Sequence, residues 1–203
     1  MITQPSDYRD HLRKAILAKR DSLNHDTLNK KSQIISHSLF THPLVIQALT
    51  LFIYVDFRSE VRTQSLIRSF LELSKKVVVP LTLTSENKLL PIRITNPLDQ
   101  LTPGYCGIPE PMEEIVETQQ IDPSTIEIVI APGSVFDSMG GRLGYGGGYY
   151  DRFFVNSAPN ALRMGICFEM QMVERVPMQL HDQFMDFIIT EKAIYDCKRN
   201  RNA

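Results

Sequence analysis

The sequence has few cysteines, no excess charge of either sign and no long apolar run. Its three cysteines, Cys106, Cys167 and Cys197, are odd in number and widely spaced, which favours neither a disulfide framework nor a zinc site. A formal net charge of −1 argues against a nucleic-acid-binding surface. No apolar run approaches the roughly 20 residues that are needed to cross a bilayer. These absences predict a protein of the reducing cytoplasm without a nucleic-acid or membrane partner.

The length and the N-terminus predict one globular domain. A chain of 203 residues, of which 43% are apolar and 22% charged, is ordinary for a domain with a hydrophobic core. The first five residues, Met-Ile-Thr-Gln-Pro, begin no basic segment followed by an apolar one, so they are not predicted to be part of a signal peptide. We therefore expect a single domain over residues 1–203.

Apolar periodicity predicts helices that alternate with short buried strands. Helical spacing predicts helices over 6–23, from a cap at Asp26 towards Phe40, and over 63–74. Short β-rich runs predict strands at 49–55, 77–81, 89–94, 127–131, 162–168 and 187–190. Pro91 predicts an edge position for the third strand, and the stretch 96–124, rich in Pro, Gly and acidic residues, is predicted to be a long loop or excursion. Short apolar strands between helices predict an α/β fold whose mostly parallel sheet is covered on both faces.

A glycine-rich segment follows the strand predicted at 127–131 and precedes a predicted helix. Six glycines lie between positions 140 and 148, and glycine lets backbone N–H groups approach a ligand closely. A loop of this kind, at the end of a strand and the start of a helix, is a natural phosphate site. Its side chains add an arginine for phosphate, flat rings for a heterocycle and a carboxylate for Mg²⁺, namely Arg142, Tyr145, Tyr149, Tyr150 and Asp151.

Tight packing alone is the alternative interpretation of these glycines. The sequence has no Gly-x-x-x-x-Gly-Lys-Ser/Thr motif, and a Gly-x-Gly-x-x-Gly frame carries little information in so glycine-rich a segment. The number of glycines, together with the arginine, the tyrosines and the aspartate, favours a ligand loop. The residues by themselves predict an anion-binding loop beside aromatic rings and nothing more specific.

More specific motifs lie along nearly the whole chain. The longest comprises Ile-Ala-Pro-Gly at 130–133, Phe-Asp at 136–137 and the run 141–152. Shorter ones are Arg-x-x-Leu-Arg at 9–13, Glu-Val-Arg-Thr at 60–63, Gly-Ile-Pro-Glu-Pro at 107–111 and the segment 186–191. Together these motifs resemble those of the 5-formyltetrahydrofolate cyclo-ligase family, whose members are also called methenyltetrahydrofolate synthetases.

The resemblance implies a fold and a reaction. The fold is a three-layer αβα arrangement of the kind shared with sugar-phosphate isomerases and CoA transferases. The reaction is the ATP- and Mg²⁺-dependent cyclisation of 5-formyltetrahydrofolate to 5,10-methenyltetrahydrofolate, through phosphorylation of the formyl oxygen and with release of ADP and phosphate. We therefore expect a ligase of one-carbon metabolism that acts as a cytoplasmic monomer.

The resemblance also assigns residues to each reactant. ATP is expected to bind Arg9, Arg13, Arg142, Leu143, Gly144, Tyr145, Gly146, Gly147, Gly148, Tyr149 and Tyr150. The folate is expected to bind Val55, Glu60, Tyr145, Gly146, Gly147, Gly148 and Tyr149. Arg142 and Tyr149 are expected to be catalytic, and Asp151 and Asp186 to be the Mg²⁺ ligands.

Spacing alone leaves simpler interpretations of some of these residues open. Arg9 and Arg13, with Arg20 near the same line, also fit a solvated basic face of the first helix. Glu60 also fits a surface glutamate beside a helix, and His181 is expected to make only a hydrogen bond within a loop. Only the family resemblance favours the functional roles of Arg9, Arg13 and Glu60.

The chain departs from the family pattern at three positions, and two other functions stay open. Arg9 stands where lysine is frequent, and Tyr145 and Gly147 stand where some members have arginine and lysine, so this loop carries less positive charge. The alternatives are another ATP-dependent small-molecule ligase or kinase on the same scaffold and a non-catalytic protein that binds folate or nucleotide.

Overall fold

A computed structural model describes residues 5–197 of the chain. Of the N-terminal segment considered above, only Pro5 falls within this range. The helices are α1 (Pro5–Asp21), α2 (His25–Phe40), α3 (Pro43–Gln47), α4 (Gln64–Glu72), α5 (Pro97–Gln100), α6 (Glu113–Gln119) and α7 (Tyr149–Asn156). The strands are β1 (Thr50–Ile53), β2 (Lys76–Leu83), β3 (Lys88–Ile94), β4 (Leu101–Pro103), β5 (Pro109–Pro111), β6 (Ile128–Ala131), β7 (Val135–Asp137), β8 (Arg142–Leu143), β9 (Leu162–Ile166), β10 (Met172–Val173), β11 (Phe187–Ile189) and β12 (Ile194–Asp196).

Seven strands form the central sheet, in the order β12-β11-β9-β6-β1-β2-β3. The inner strands pair in parallel, and the edge strands β12 and β3 are antiparallel to their neighbours. The chain extends the sheet from β1 towards β3, and later from β6 towards β12. The adjacent strands β1 and β6 therefore flank a topological switch point, beside which open α/β sheets bind ligands.

Alternate residues of the strands belong to two separate cores, one on each face of the sheet. In β1, Leu51 and Ile53 pack in the core that α2, α3 and α4 cover, whereas Phe52 packs in the core that α7 covers. In β6, Ile130 and Val129 are divided between the two cores in the same way. Because successive strand side chains point to opposite faces, these apolar runs are buried on both sides. The predicted α/β class and the coverage of both faces are confirmed.

Local hydrogen bonds fix the beginnings of the early helices. The side chain of Asn24 accepts a hydrogen bond from the Thr27 N–H at 2.8 Å and caps α2, so the predicted cap at Asp26 is wrong by two residues. His42 accepts a hydrogen bond from the Leu44 N–H at 3.3 Å and begins α3 before a proline at its first position. The second cap begins the short helix that directly precedes β1.

The stretch 96–124, predicted to be a long loop or excursion, is not one irregular loop. This stretch contains α5, the hairpin of β4 and β5, and α6. Glu110 holds the hairpin, because its buried carboxylate accepts hydrogen bonds from the N–H groups of Thr82 and Tyr105 at 3.0 and 2.9 Å. Elements of three to seven residues are too short to show a period, so proline and glycine dominate the local signal.

The predicted edge strand is confirmed, since β3 is the last strand of the central sheet and contains Pro91. Among the described residues, no helix has both the length and the apolar content that crossing a bilayer requires.

Candidate active site

The glycine-rich segment is reached through two short strands and does not directly follow β6. Strands β7 and β8 form a tight hairpin in which Asp137 accepts hydrogen bonds from the N–H groups of Met139, Gly141 and Val176 at 2.7–2.9 Å. A Cβ on Gly141 would lie 2.5 Å from the Asp137 carboxylate. The Phe-Asp and Gly-Arg-Leu parts of the motif therefore build a platform from which residues 144–148 project.

Residues 144–148, the glycine loop, enter α7 through backbone conformations that favour glycine. Gly146 and Gly148 have φ values of +105° and +65°. A Cβ on Gly147 would lie 2.7 Å from the ring of Tyr149, so a side chain at 147 requires that ring to move. Arg152 ties the loop to α7, because its guanidinium donates to the Gly147 carbonyl at 2.5 Å and lies 5.4 Å from the centre of the Tyr149 ring.

Helix α1 reaches the glycine loop through its arginines. Arg13 Nε donates a hydrogen bond to the Gly144 carbonyl at 2.9 Å, and the same guanidinium pairs with Asp10. Arg9 forms a two-pronged pair with Asp182, at 2.5 and 3.1 Å, and also donates to the Pro177 carbonyl at 2.8 Å. The simpler interpretation of a solvated basic face is therefore wrong for Arg9 and Arg13.

A cavity of about 210 Å³, here called the glycine-loop cavity, lies between α1, the glycine loop and the segment 177–182. Its lining residues are Arg9, Asp10, Arg13, Gly144, Gly146, Gly148, Asp151, Gln179, His181 and Asp182. Backbone N–H groups and guanidinium groups on one wall are complementary to phosphate oxygens. A polyphosphate in this cavity would have to displace Asp182 from Arg9 and Asp10 from Arg13.

Arg142 is not placed where a ligand phosphate would reach it. Its side chain is 3% exposed, and its Nη2 lies 3.0 Å from Asp151 Oδ2 while its Nη1 donates to the Pro132 carbonyl at 3.2 Å. The guanidinium also lies 5.7 Å from the centre of the Tyr150 ring. The geometry corrects the expected phosphate contact, because Arg142 acts on Asp151 from beneath the cavity.

Two further residues expected at the nucleotide pack into the cores, where Leu143 is buried and Tyr150 is partly buried. Leu143 packs beneath the hairpin, and its carbonyl accepts hydrogen bonds from the backbone N–H and the hydroxyl of Ser134 at 2.7 and 2.9 Å. The ring of Tyr150 packs against Phe52 at a centroid distance of 6.3 Å. Burial raises the pKa of Tyr150 far above its usual value. These two side chains support the site and do not line the cavity.

The two expected metal ligands differ in how well they fit Mg²⁺. Asp151 lines the glycine-loop cavity, although one of its oxygens pairs with Arg142 and the other accepts the Gln183 N–H at 3.0 Å. Asp186 is buried just before β11, where its carboxylate accepts the Arg163 N–H at 2.8 Å. Within residues 5–197, no group of three or more His, Cys, Asp or Glu side chains could hold a metal ion. Asp151 therefore fits a Mg²⁺ that is also bound by phosphates, and Asp186 does not.

Glu60 is turned inward from the loop after β1 and meets the glycine loop. It is 8% exposed, one of its oxygens accepts the Phe57 N–H at 2.9 Å, and the other accepts the hydroxyl of Tyr145. Arg20, which is 4% exposed, donates to the same hydroxyl at 2.8 Å. The interpretation of Glu60 as a surface glutamate is therefore wrong.

The group formed by the buried side chains of Arg20 and Glu60 and the Tyr145 hydroxyl between them has perturbed acidity. Burial raises the pKa of Glu60 above its usual value, and the hydrogen bonds from Tyr145 and Phe57 only partly oppose that rise. Burial and the adjacent Glu60 raise the pKa of the Tyr145 phenol far above its usual value. Tyr145 therefore keeps its proton at neutral pH, and its hydroxyl donates to Glu60 while it accepts from Arg20.

A second cavity, of about 250 Å³, lies beside the end of β1. Val55 lines it together with the apolar residues Ile67, Leu98 and Leu101 and three prolines, and the polar side chains at its wall are Gln64, Arg68 and Thr102. The Thr63 end of the Glu-Val-Arg-Thr motif supports this region, because Asp56 accepts the Thr63 N–H at 2.9 Å and fixes the start of α4. Val55 therefore lines an apolar cavity that is separate from the glycine-loop cavity.

Several residues of these sites had no clear signal in the sequence. Asp182 lies 173 residues from its partner Arg9, and Gln179 and His181 reach the glycine-loop cavity from an irregular segment. The prediction that His181 serves only a loop hydrogen bond misses this position. The only local hint was the adjacent pair His181–Asp182, which is common in loops.

Residues 5–191 match the sequence profile of the 5-formyltetrahydrofolate cyclo-ligase family. The chain is 27% identical over 183 residues to the 5-formyltetrahydrofolate cyclo-ligase of Escherichia coli K12, across 89% of this chain and 99% of the bacterial one. The NMR structure of Aquifex aeolicus 5,10-methenyltetrahydrofolate synthetase matches with a TM-score of 0.81 at 28% identity, over 94% of this chain and 93% of that one. The Mycoplasma pneumoniae synthetase matches in fold with a TM-score of 0.71 at 24% identity, over 90% and 98% of the two chains.

Proposed function

Because the chain belongs to the 5-formyltetrahydrofolate cyclo-ligase family, we propose that it is a ligase that converts 5-formyltetrahydrofolate and ATP to 5,10-methenyltetrahydrofolate, ADP and phosphate. The family and the fold expected from the motifs are confirmed. The observation that carries the proposal is the convergence of Arg13 from α1 and the glycine loop on one cavity.

The reaction needs activation of a formamide, which is a poor electrophile because its nitrogen donates into the carbonyl. The γ-phosphoryl group moves from ATP to the formyl oxygen, which gives an imidate phosphate and ADP. The neighbouring nitrogen, N10, then attacks the formyl carbon and loses its proton, while the carbon–oxygen bond to phosphate breaks. The protein has to align the reactants and neutralise charge, as in other phosphoryl transfers, and no protein nucleophile is required.

We assign the triphosphate to the glycine-loop cavity. Arg9 and Arg13 face this space, and the backbone N–H groups of the loop lie at the N-terminal end of α7. The pairs of Arg9 with Asp182 and of Arg13 with Asp10 hold the two guanidinium groups in place. Phosphate oxygens would replace these carboxylates as partners, because each guanidinium can form a charge-assisted, bidentate contact with phosphate.

Asp151 is the residue that we propose to hold Mg²⁺, through the carboxylate that faces the cavity. When bound with ATP, Mg²⁺ neutralises charge on the β- and γ-phosphates. Arg142 positions this carboxylate by pairing with it from the buried side. Arg142 is therefore proposed as a positioning residue, and no role in metal binding is proposed for Asp186.

We assign the pterin ring of the folate to Glu60 and the rest of the molecule to the second cavity. A carboxylate accepts hydrogen bonds from ring N–H and amino groups, so Glu60 fits the pterin ring. Val55 and the apolar wall fit the aminobenzoyl ring, and Arg68 fits the carboxylates of the glutamate tail. Tyr149 directly follows the glycine loop as the first residue of α7, and we keep it as the proposed catalytic tyrosine on the folate side.

We further propose that the enzyme works in the cytoplasm as a monomer without nucleic-acid or membrane partners. Cys106, Cys167 and Cys197 are all free thiols, which suits a reducing compartment. One chain supplies the residues that line both cavities, so the proposed reaction needs no second copy.

One assay tests the function. The protein is mixed with 5-formyltetrahydrofolate, ATP and Mg²⁺, and the near-ultraviolet absorbance of the methenyl product is followed. We expect an increase that requires both ATP and the divalent cation. Absence of an ATP-dependent increase would contradict the proposal, folate binding without turnover would indicate a binding protein, and ATP turnover with another amide or acid would indicate a different ligase or kinase.

A further inference from the structure

The hydroxyl of Tyr145 lies between the cation Arg20 and the anion Glu60 of the proposed folate site. This hydroxyl donates to Glu60 and accepts from Arg20 Nη1 at 2.8 Å. A phenol has one proton to donate and lone pairs to accept, so a single hydroxyl satisfies both buried charges. The family resemblance gives no such arrangement, because some members have arginine at position 145.

The oxygen of Glu60 that Tyr145 contacts is the one that a ligand would use. The other oxygen already accepts the Phe57 N–H at 2.9 Å. Because Glu60 is 8% exposed, there is little room for a second donor while the tyrosine hydroxyl stays in contact. A ligand N–H that reaches Glu60 therefore has to compete with Tyr145.

The pterin ring has the chemistry to replace this hydroxyl. Its lactam edge presents an N–H donor beside a carbonyl acceptor, which is the same pair of functions that the Tyr145 hydroxyl provides. The N–H matches Glu60, and the carbonyl matches Arg20. Arg20 would stay in place during the exchange, because its Nε also donates to the Ser59 hydroxyl at 3.0 Å and Ser59 in turn donates to Asp21.

The surroundings of Tyr145 allow the ring to leave. Tyr145 is 48% exposed although its hydroxyl lies between Arg20 and Glu60. It stands between Gly144 and Gly146, and a Cβ added at Gly146 would meet no atom of the described residues within 4 Å. Glycine on both sides gives the backbone more accessible conformations than other residues do.

From these contacts we propose that Tyr145 sets the folate affinity by competition, because its hydroxyl and the lactam edge of the pterin use the same groups of Glu60 and Arg20. This inference rests on the proposed function, since it needs 5-formyltetrahydrofolate to bind beside Glu60. Tyr145 is thereby a specificity-determining residue, and Arg20 is its positioning partner.

Calorimetry without ATP tests the competition in wild type, Tyr145→Phe and Tyr195→Phe. The Tyr195 hydroxyl donates to Glu169 at 3.0 Å, so Tyr195→Phe removes the same kind of tyrosine–glutamate bond away from the site. We expect Tyr145→Phe to lower the Kd for 5-formyltetrahydrofolate by roughly three- to tenfold, the size of one net hydrogen bond. The Kd for ATP should not change although Tyr145 was expected at the nucleotide, because its hydroxyl contacts Glu60 and Arg20 and it does not line the glycine-loop cavity. Tyr195→Phe should bind the folate as wild type does.

An unchanged or raised folate Kd in Tyr145→Phe would overturn the proposal, because it would make Tyr145 a structural residue or a direct folate contact. Failure of the wild type to bind 5-formyltetrahydrofolate would instead count against the proposed function. A second measurement uses the folded wild type with tyrosine labelled by ¹³C at the ring carbon that bears the hydroxyl. The signal that is absent from the spectrum of Tyr145→Phe belongs to Tyr145. In wild type it should shift when 5-formyltetrahydrofolate is added and should not shift when ATP is added. No shift with the folate would refute the exchange.

Discussion

Arg142 Nη2 lies 3.0 Å from Asp151 Oδ2, and the pair joins the buried β-hairpin to the first turn of the helix that begins at the glycine loop. The arginine side of the pair is almost completely buried, whereas the aspartate side faces the glycine-loop cavity. Arg142, the arginine of the glycine-rich motif, thus holds the Asp151 carboxylate in position.

Removal of this arginine should cost much stability. Arg142→Met leaves the Asp151 carboxylate without its cation, and loss of one partner of a buried pair costs about 3 kcal/mol or more. Urea unfolding monitored by circular dichroism measures the change. Lys88→Met is the control, because Lys88 and Glu86 form an exposed pair that should contribute about 1 kcal/mol or less. Equal losses in the two variants would show that Arg142 has no special structural role.

Replacement of Asp151 should abolish most of the turnover. Asp151→Ala removes the proposed Mg²⁺ ligand, and we expect kcat to fall by about two orders of magnitude, which is typical when a group that aids charge stabilisation is lost. His181→Ala should change kcat little, because His181 lines the same cavity but supplies no group that the chemistry requires. Steady-state kinetics over a range of Mg²⁺ concentrations separates the two. Similar losses would mean that the roles are misassigned.

Arg13 should matter for ATP far more than its neighbour does. Arg13→Ala removes both the contact with Gly144 and a guanidinium of the cavity wall, so we expect KM for ATP to rise roughly tenfold or more, the value of one charge-assisted hydrogen bond. Lys14→Ala removes an exposed cation of the same helix and should leave KM unchanged. A comparable rise in both variants would point to the net charge of α1 instead.

Arg68 should recognise the glutamate tail of the folate. Arg68→Ala removes the cation at the wall of the second cavity, so KM for 5-formyltetrahydrofolate should rise several-fold, as expected for loss of an exposed charged contact. A substrate analogue that lacks the glutamate should show no such rise. Arg93→Ala, on the edge strand β3, is the exposed control. If the analogue is affected equally, Arg68 does not bind the tail.

The pair of Arg9 and Asp182 should make the protein sensitive to acid. Burial raises the pKa of Asp182, but the hydrogen bonds from Arg9 and the Gln179 N–H outweigh it and hold the pKa below the usual aspartate value. A lowered pKa in the folded state stabilises the protein above the ordinary pKa of about 3.9, and this stability is lost as the pH falls through the lowered value. The difference in unfolding free energy between wild type and Asp182→Asn should therefore stay constant from neutral pH to a pH of about 4 and shrink as the pH falls further. A difference that is independent of pH would exclude the linkage.

The sequence predicts the central sheet well because each strand is indicated by the apolar pattern of its own residues. Continuous apolar runs such as 49–55 and 127–131 indicate strands that are buried on both faces. The alternation of Leu51, Phe52 and Ile53 between the two cores follows from the geometry of a strand and does not depend on distant residues. The glycine loop was located for a similar reason, since residues 144–148 must adopt conformations such as that of Gly146 at φ +105°.

The sequence predicts the orientation of charged side chains poorly, because orientation depends on distant partners. Arg142 is buried because a two-residue strand turns it beneath Pro132 and beside Asp151. Arg9 is held by Asp182, 173 residues away, so no local pattern links them. In both cases the motif identified the right neighbourhood but did not indicate which carboxylate pairs with the arginine.

Pro91 and the backbone that covers its neighbour hinder the pairing of edge strand β3 with another sheet. Pro91 faces Pro80 in β2, and its carbonyl points outward to accept the Ile121 N–H at 3.2 Å. Since the N and C=O of one residue in an antiparallel strand lie on the same side, the proline nitrogen also points outward and removes a donor from that edge. The bridge between Ile92 and Gln120 covers the next position. Another chain that approached β3 would find few groups to pair with, so this edge protects the enzyme from aggregation by strand addition.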